Sequence, residues 1–109
     1  MEMDRVAMLT EVLSQDPNNA FARYGLAMEY SNSGELDRAL AEFHKLLTGN
    51  PDYTAGYFMG AQALVKAGRV QEAKKMLDDG IACAVRKGDA HAQSEMEAMR
   101  DELESLTSG

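Results

Sequence analysis

A fixed interval of about 34 residues recurs along this chain and limits the folds that are open to it. Small residues, a glycine and a proline return at this interval, together with large apolar residues. The matched positions are Ala27 and Ala61, Gly34 and Gly68, Ala39 and Ala73, Phe43 and Leu77, Pro17 and Pro51, and Leu9 and Phe43. Repeats of this length are typical of short helical units that stack on one another. We therefore predict an all-α fold built from paired helices.

Apolar residues at three- and four-residue spacings predict six amphipathic helices. The predicted helices cover approximately residues 2–15, 19–32, 36–48, 53–67, 70–87 and 90–106. We expect Gly34 to form the turn after the second helix and Gly88 to end the fifth, because glycine adopts left-handed geometry without steric cost. Asn18 is expected to cap the second helix and Asp89 the sixth, each by accepting a hydrogen bond from a backbone N–H of the first turn.

Two glycines in the fourth helix allow two interpretations. Gly56 and Gly60 are four residues apart and therefore share one helical face. They permit close packing against a neighbouring helix of the same array, near Gly80. Alternatively, they form an approach site for a helix of another chain. The sequence leaves both interpretations open.

The charge and cysteine content exclude several classes of protein. Lys and Arg total 11 against 18 Asp and Glu, a net charge of −7, which disfavours binding to phosphate backbones. The single cysteine precludes an intrachain disulfide and favours a reducing compartment. The chain starts with acidic residues and has neither the unbroken apolar run of a signal peptide nor that of a membrane span. We expect a soluble, cytoplasmic protein that binds neither nucleic acid nor membrane.

No group of residues in the sequence has the spacing of a catalytic, metal or cofactor site. His44 and His91 stand apart from any spaced group of Cys, His, Asp or Glu, and no glycine-rich phosphate loop is present. Asp78 and Asp79 are adjacent, so on a helix their side chains point about 100° apart. Cys83 lies among apolar neighbours and is expected to be a buried small side chain. We predict that the chain is not an enzyme and needs no cofactor.

Seven residues of the first repeat resemble the tetratricopeptide repeat, a helix-turn-helix unit of about 34 residues. They are Leu26, Ala27, Tyr30, Gly34, Ala39, Phe43 and Pro51. The second repeat resembles the family through Ala61, Gly68 and Ala73, with Leu64 replacing the tyrosine and Leu77 the phenylalanine. It departs from the family at Gly60 and Gly80, and the early tryptophan of the family is absent from both repeats.

The resemblance implies an α-solenoid of about six antiparallel helices in a single domain, residues 1–109. The implied parts are a half-repeat helix at 2–15, repeats at 18–51 and 52–87, and a capping helix at 89–106. One repeat cannot bury its own apolar faces, so neighbouring repeats must stack, and the end helices must close the core with a polar outer side.

In this family the first helix of each pair lines a concave groove that binds a partner polypeptide. By register, the implied partner-binding residues are Phe21, Tyr24, Met28 and Asn32, then Phe58, Met59, Gln62 and Lys66, then Gln93, Met96 and Arg100. Aromatic and methionine side chains make adaptable apolar contacts, and the amides can bond a peptide backbone. The alternative for Phe21, Tyr24, Phe58 and Met59 is that they fill the core between helices.

The sequence thus favours a protein-interaction module that binds a peptide or helix of a protein partner in the groove. Some members of the family bind a terminal carboxylate through Lys and Asn, but Tyr24, Met28 and Met59 occupy those positions here, which argues against binding of heat-shock-chaperone tails. The alternative function is self-association as a homodimer, motivated by eight methionines and by the shared face of Gly56 and Gly60. An enzyme or a nucleic-acid binder is disfavoured for the reasons above.

Overall fold

The computed structural model describes residues 4–107, and within this range all regular secondary structure is helical. The six helices are α1 (Arg5–Gln15), α2 (Ala20–Asn32), α3 (Leu36–Gly49), α4 (Thr54–Lys66), α5 (Val70–Lys87) and α6 (Ala90–Thr107). Every predicted helix is present, which confirms the all-α class. The predicted helical residues 2 and 3 lie outside the described residues. Within residues 4–107, no helix has the length and apolar character needed to cross a bilayer.

The hairpins α2–α3 and α4–α5 close with the same turn. Gly34 and Gly68 have φ angles of 81° and 76°. The N–H of Glu35 donates to the carbonyl of Tyr30 at 2.9 Å, and the equivalent bond after Gly68 is 2.8 Å. A bond that reaches back over five residues satisfies a carbonyl at the end of the first helix. The two turns, which are 34 residues apart in the sequence, therefore have the same backbone conformation. The predicted role of Gly34 is confirmed.

The helix starts show one correction to the sequence-based predictions. Asn19, not Asn18, caps α2, since its side-chain oxygen accepts from the N–H of Ala22 at 2.9 Å. Because α2 begins at Ala20, the side chain three positions before Ala22 is the one in reach of the first turn. The predicted cap of α6 is confirmed, with Asp89 accepting from Ala92 at 3.0 Å.

The contacts divide the chain into two compact units, Met1–Tyr53 and Thr54–Gly109. In the first unit, α1 packs on α2 through a cluster of three buried residues and three partly buried ones. These are Leu13, Ala22 and Leu26, with Val6, Leu9 and Tyr30 against them. The hairpin α2–α3 has its own core, in which Ala27, Ala39 and Phe43 have no exposed surface. The small alanines allow the helix backbones to approach, and Phe43 fills the remaining space.

An ion pair fixes the start of α2 against α3 and the preceding loop. Nη1 of Arg23 lies 2.6 Å from Oε1 of Glu42, and both side chains are largely buried. Nη2 of Arg23 donates to the carbonyl of Pro17 at 3.0 Å. The pair satisfies two charges that would be costly to bury alone, and it orients the first turn of α2.

In the second unit, α4, α5 and α6 meet around Gly80. A Cβ at this position would lie 2.6 Å from Cβ of Tyr57 in α4 and 2.5 Å from Sδ of Met96 in α6. Only glycine permits so close an approach. Gly56 and Gly60 are buried as well, so the interpretation that they offer an open approach site to another chain is wrong. Burial of these glycines within one chain favours the close-packing interpretation.

Candidate functional site

The α2 residues predicted to bind a partner form an apolar stripe in the first unit. Phe21, Met28 and Asn32 lie within about 20° of one line along the helix, because seven residues make nearly two turns. The side chain of Phe21 is 76% exposed, Met28 is half-buried and Asn32 is exposed. Phe21 is therefore a surface residue, and the alternative that it fills the core is wrong.

Tyr24 lies beside this stripe and belongs to an aromatic cluster. Its ring centroid is 5.4 Å from that of Tyr53 and 6.4 Å from that of Phe43, the latter with edge-to-face geometry. Two causes raise the pKa of the Tyr24 hydroxyl: burial, which is the larger, and the neighbouring Tyr53. Burial also raises the pKa of the Tyr53 hydroxyl. Both phenols therefore stay neutral at physiological pH and can donate hydrogen bonds.

Sequence reasoning missed Tyr53, which lies in the loop before α4 and not on a helix. It follows Asn50, Pro51 and Asp52, and these four residues line an open depression of about 360 Å³. An aromatic residue directly after a polar, proline-containing turn is the feature that marks it in the sequence. We call Phe21, Tyr24, Met28 and Tyr53 the aromatic surface of α2.

The predicted residues of α4 lie together in the second unit. They are Phe58, Met59, Gln62 and Lys66, which span about 100° of the helix surface. Phe58, Met59 and Gln62 are half-buried, and Lys66 is exposed in the last turn. The α4 stripe thus combines apolar surface with an amide and an ammonium group.

The predicted residues of α6 have different environments. Met96 is 1% exposed and belongs to the core beside Gly80, so its side chain has no surface to offer a partner. Arg100 bonds Asp78 and Glu104, each at 2.9 Å, so its guanidinium already has two carboxylate partners. Gln93 is half-buried. Its amide Nε2 donates to Oε2 of Glu97 at 3.2 Å.

The cysteine and the two histidines have different surroundings. Cys83 is fully buried, as predicted, with its Sγ 3.5 Å from the hydroxyl of Thr54. His44 is exposed, and His91 faces solvent 3.3 Å from Glu95. Among residues 4–107, no three His, Cys, Asp or Glu side chains come together as a metal site.

Comparison with known proteins settles the family. Two sequence models of protein families, both described as tetratricopeptide repeat, match residues 32–94 and 8–41 of this chain. The chain belongs to the tetratricopeptide repeat family. The TPR repeat-containing protein PA0015 of Pseudomonas aeruginosa is 31% identical over 88 residues, which are 81% of this chain and 84% of that protein.

Solved structures of tetratricopeptide domains share the fold. A domain from Salinibacter ruber is 30% identical, with a TM-score of 0.78 over 83% of this chain and 91% of that one. The TPR2B domain of yeast Sti1, solved in complex with pHsp70, has a TM-score of 0.86 at 17% identity, over 93% of this chain and 81% of that one. The predicted resemblance and fold class are confirmed. Tetratricopeptide domains are in general protein-interaction modules and are typically not enzymes.

Proposed function

We propose that this tetratricopeptide chain binds an apolar peptide or helix of a protein partner along the first helices of its hairpins, the groove helices of the family. The proposal rests chiefly on Phe21, a large aromatic side chain in the first turn of α2 that is 76% exposed. Its exposure costs free energy in the unbound protein that a partner can recover. Burying a phenylalanine side chain contributes about 1.5–3 kcal/mol.

The neighbours of Phe21 suit the same role. Tyr24, one turn further along α2, packs on Tyr53 with ring centroids 5.4 Å apart, and each combines a rigid apolar ring with a neutral hydroxyl. Such residues lose little conformational entropy on binding and are frequent energetic centres of interfaces. Met28 adds a flexible side chain that adapts to the shape of a ligand. The aromatic surface of α2 therefore combines fixed and adaptable contacts.

The α4 stripe is proposed as a second contact region. Phe58 and Met59 supply apolar surface, while Gln62 can both donate to and accept from a peptide backbone. Lys66 adds a positive charge at the end of the stripe. We propose recognition of side chains and backbone and no capture of a terminal carboxylate, because Tyr24, Met28 and Met59 replace the polar residues that such capture would use. The complex formed by the yeast relative supports a polypeptide ligand in general terms.

The proposal is tested with a phage-displayed library of random peptides panned against the whole chain. Selected peptides are then titrated against wild type and the variant Phe21→Ser. We expect the Kd to rise by about tenfold or more, because loss of a central aromatic contact costs about 1.4 kcal/mol or more. Leu106→Ser is the matched control, since Leu106 is 74% exposed but lies on α6.

The outcomes separate clearly. Binding that weakens in Phe21→Ser and not in Leu106→Ser supports the proposal. Equal affinity of both variants, or failure of the library to yield a binder, overturns it. Circular dichroism of each variant checks that the helices are intact.

Self-association remains the alternative function, but the glycine face that suggested it in the sequence is not open. Gly56 and Gly60 are buried within a single chain, so they do not offer a close-approach face to a second copy. Phe21 and Leu106, which are 76% and 74% exposed, are apolar side chains that a homodimer would bury. The oligomeric state therefore decides between the two functions.

A further inference from the structure

The hydroxyl groups of Tyr24 and Tyr53 are hydrogen-bond donors that have no acceptor in the described part of the chain. The two side chains contact each other through their rings, and the ring of Tyr24 also contacts Phe43. Neither phenol oxygen bonds another described residue. Among residues 4–107, no buried side-chain oxygen or nitrogen lacks a hydrogen-bond partner. Both hydroxyls therefore reach solvent, where a ligand can accept a bond from each.

These two donors suit a neutral acceptor better than an anion. Burial, the largest cause in each case, raises the pKa of both hydroxyls, so they keep their protons at physiological pH. The chain has a net charge of −7, which repels carboxylates and phosphates on approach. A peptide carbonyl is a neutral acceptor that this field does not repel. The phenols therefore favour the backbone of a polypeptide ligand over an acidic side chain.

The conformation of the ligand backbone decides whether its carbonyls are available. In an α-helix the carbonyls are bonded within the helix, so a bound helix offers the phenols no backbone acceptor. A polyproline segment has no internal hydrogen bonds, and its backbone is fully solvated. An advance of two residues along it covers about 6 Å, close to the 5.4 Å between the ring centroids of Tyr24 and Tyr53. Three consecutive residues of such a segment thus reach from one ring to the other.

The surroundings of Tyr53 also suit a rigid, apolar segment. Tyr53 and the three residues before it line the open depression of about 360 Å³, a volume within the roughly 300–1,000 Å³ of ligand sites. Phe21, in the first turn of the helix that carries Tyr24, adds an exposed aromatic ring. Proline-rich segments bind grooves lined with aromatic rings, because the polyproline conformation is already present in the free peptide and little entropy is lost on binding.

We infer that the segment bound at the aromatic surface of α2 contains proline and has the polyproline conformation, and that it is not a helix. This inference rests on the proposed function, which allows both a peptide and a helix, and it names the chemistry of the ligand. The proline rings pack on the rings of Tyr24 and Tyr53, while the two phenols donate to backbone carbonyls of the segment. Phe21 packs on an apolar side chain next to the prolines.

Three synthetic peptides test the inference. The first has the core Pro–Leu–Pro–Pro–Leu–Pro, the second has alanine in place of each proline, and the third presents two leucines on a helix held by a hydrocarbon staple. Each peptide is titrated against the whole chain. We expect the proline peptide to bind roughly tenfold or more tightly than either of the others, because its backbone is ordered before binding and its carbonyls are free.

Variants that lack single hydroxyls locate the contact. Tyr24→Phe and Tyr53→Phe each remove one donor and keep the ring, so each is expected to weaken binding of the proline peptide about two- to tenfold. Tyr30→Phe is the matched control, because Tyr30 is also on α2 but packs on the cluster between α1 and α2. It is expected to bind the proline peptide like wild type. Wild-type affinity of Tyr24→Phe and Tyr53→Phe, or an equal loss in Tyr30→Phe, overturns the inference.

Failure of the inference differs from failure of the proposed function. If the stapled helix binds as tightly as the proline peptide and Phe21→Ser weakens both, the polyproline ligand is overturned and the proposed function stands. If Phe21→Ser changes the affinity of none of the three peptides, the proposed function fails, and the inference fails with it.

Discussion

Single glycines set the geometry of this chain in two different ways. Gly34 has a φ angle of 81°, a region that costs other residues roughly 1–2 kcal/mol, and an added Cβ would meet nothing within 4 Å. Gly80 lies in a helix with ordinary φ, but an added Cβ would meet Tyr57 and Met96. At Gly34 the backbone excludes side chains, whereas at Gly80 the neighbours exclude them.

The first prediction concerns the turn. Gly34→Val is expected to lower the free energy of unfolding by about 1–2 kcal/mol through backbone strain alone, measured by chemical denaturation. Gly49→Ala is the control, because Gly49 ends α3 without a positive φ and has open space around it. That variant is expected to keep or slightly raise the stability. Wild-type stability of Gly34→Val would contradict the left-handed turn.

The second prediction concerns close packing. Gly80→Ala is expected to cost about 1–3 kcal/mol, because Cβ of Tyr57 cannot move without its backbone even if Met96 shifts. Gly25→Ala is the matched control, since Gly25 also faces another helix, but its Cβ would contact Leu9 at an ordinary 3.4 Å. We expect this control to be neutral or more stable, because alanine favours helix by about 1 kcal/mol. Equal destabilisation of both variants would refute the distinction.

Among the helices, α6 is attached to α5 by a polar network as well as by apolar packing. Lys74 of α5 is buried, and its Nζ bonds Glu104 at 3.0 Å and Thr107 at 2.5 Å. Arg100 of α6 joins Glu104 to Asp78 of α5, each at 2.9 Å. The network satisfies a buried ammonium group, which would otherwise be costly.

The third prediction follows from the charge of this network. Hydrogen bonds from Lys74, the larger cause, and from Arg100 lower the pKa of Glu104 below its ordinary value of 4.5. Because the folded-state pKa is the lower one, the stabilisation is fully present above about pH 4.5 and is lost as the pH falls through the folded-state pKa. Thermal denaturation at neutral and acidic pH measures this loss. Glu104→Gln is expected to lose less stability on acidification than wild type.

Glu102→Gln is the control for that measurement, because Glu102 is an exposed carboxylate on the same helix. It is expected to keep the acid sensitivity of wild type. The same acid sensitivity in Glu104→Gln as in wild type would show that the network does not stabilise the docking of α6.

For the molecule as a whole, charge and burial both favour a single copy in solution. The net charge of −7 makes copies of the chain repel one another. The glycine face that suggested pairing is buried. Phe21 and Leu106, the most exposed large apolar residues described, belong to different helices.

The fourth prediction is therefore a mass of 11.9 kDa by light scattering across a wide range of concentration. A doubled mass that returns to the monomer value in Phe21→Ser would instead support homodimerisation through the aromatic surface of α2. Leu106→Ser serves as the control in this measurement too.

The helices, their turns and most of the core could be predicted because they depend on local chemistry that repeats. Gly34 and Gly68 form the same turn since both positions require positive φ. Phe43 and Leu77 are buried since the repeat brings each to the same face of its hairpin. The cap at Asn19 was missed by one position, because neighbouring asparagines have the same capping chemistry and only the start of the helix selects between them.

The environment of the candidate site followed only from tertiary packing. The register of the family predicts that both Phe21 and Met96 bind a partner, yet one is 76% exposed and the other 1%. Whether a helical face is covered depends on helices distant in the sequence, and periodicity within one helix does not contain that information. The contact of Tyr53 with Tyr24, and of Arg100 with Asp78, likewise requires the helices to be assembled. Repeat, turns and hairpins are properties of local sequence, whereas exposure is a property of the packed chain.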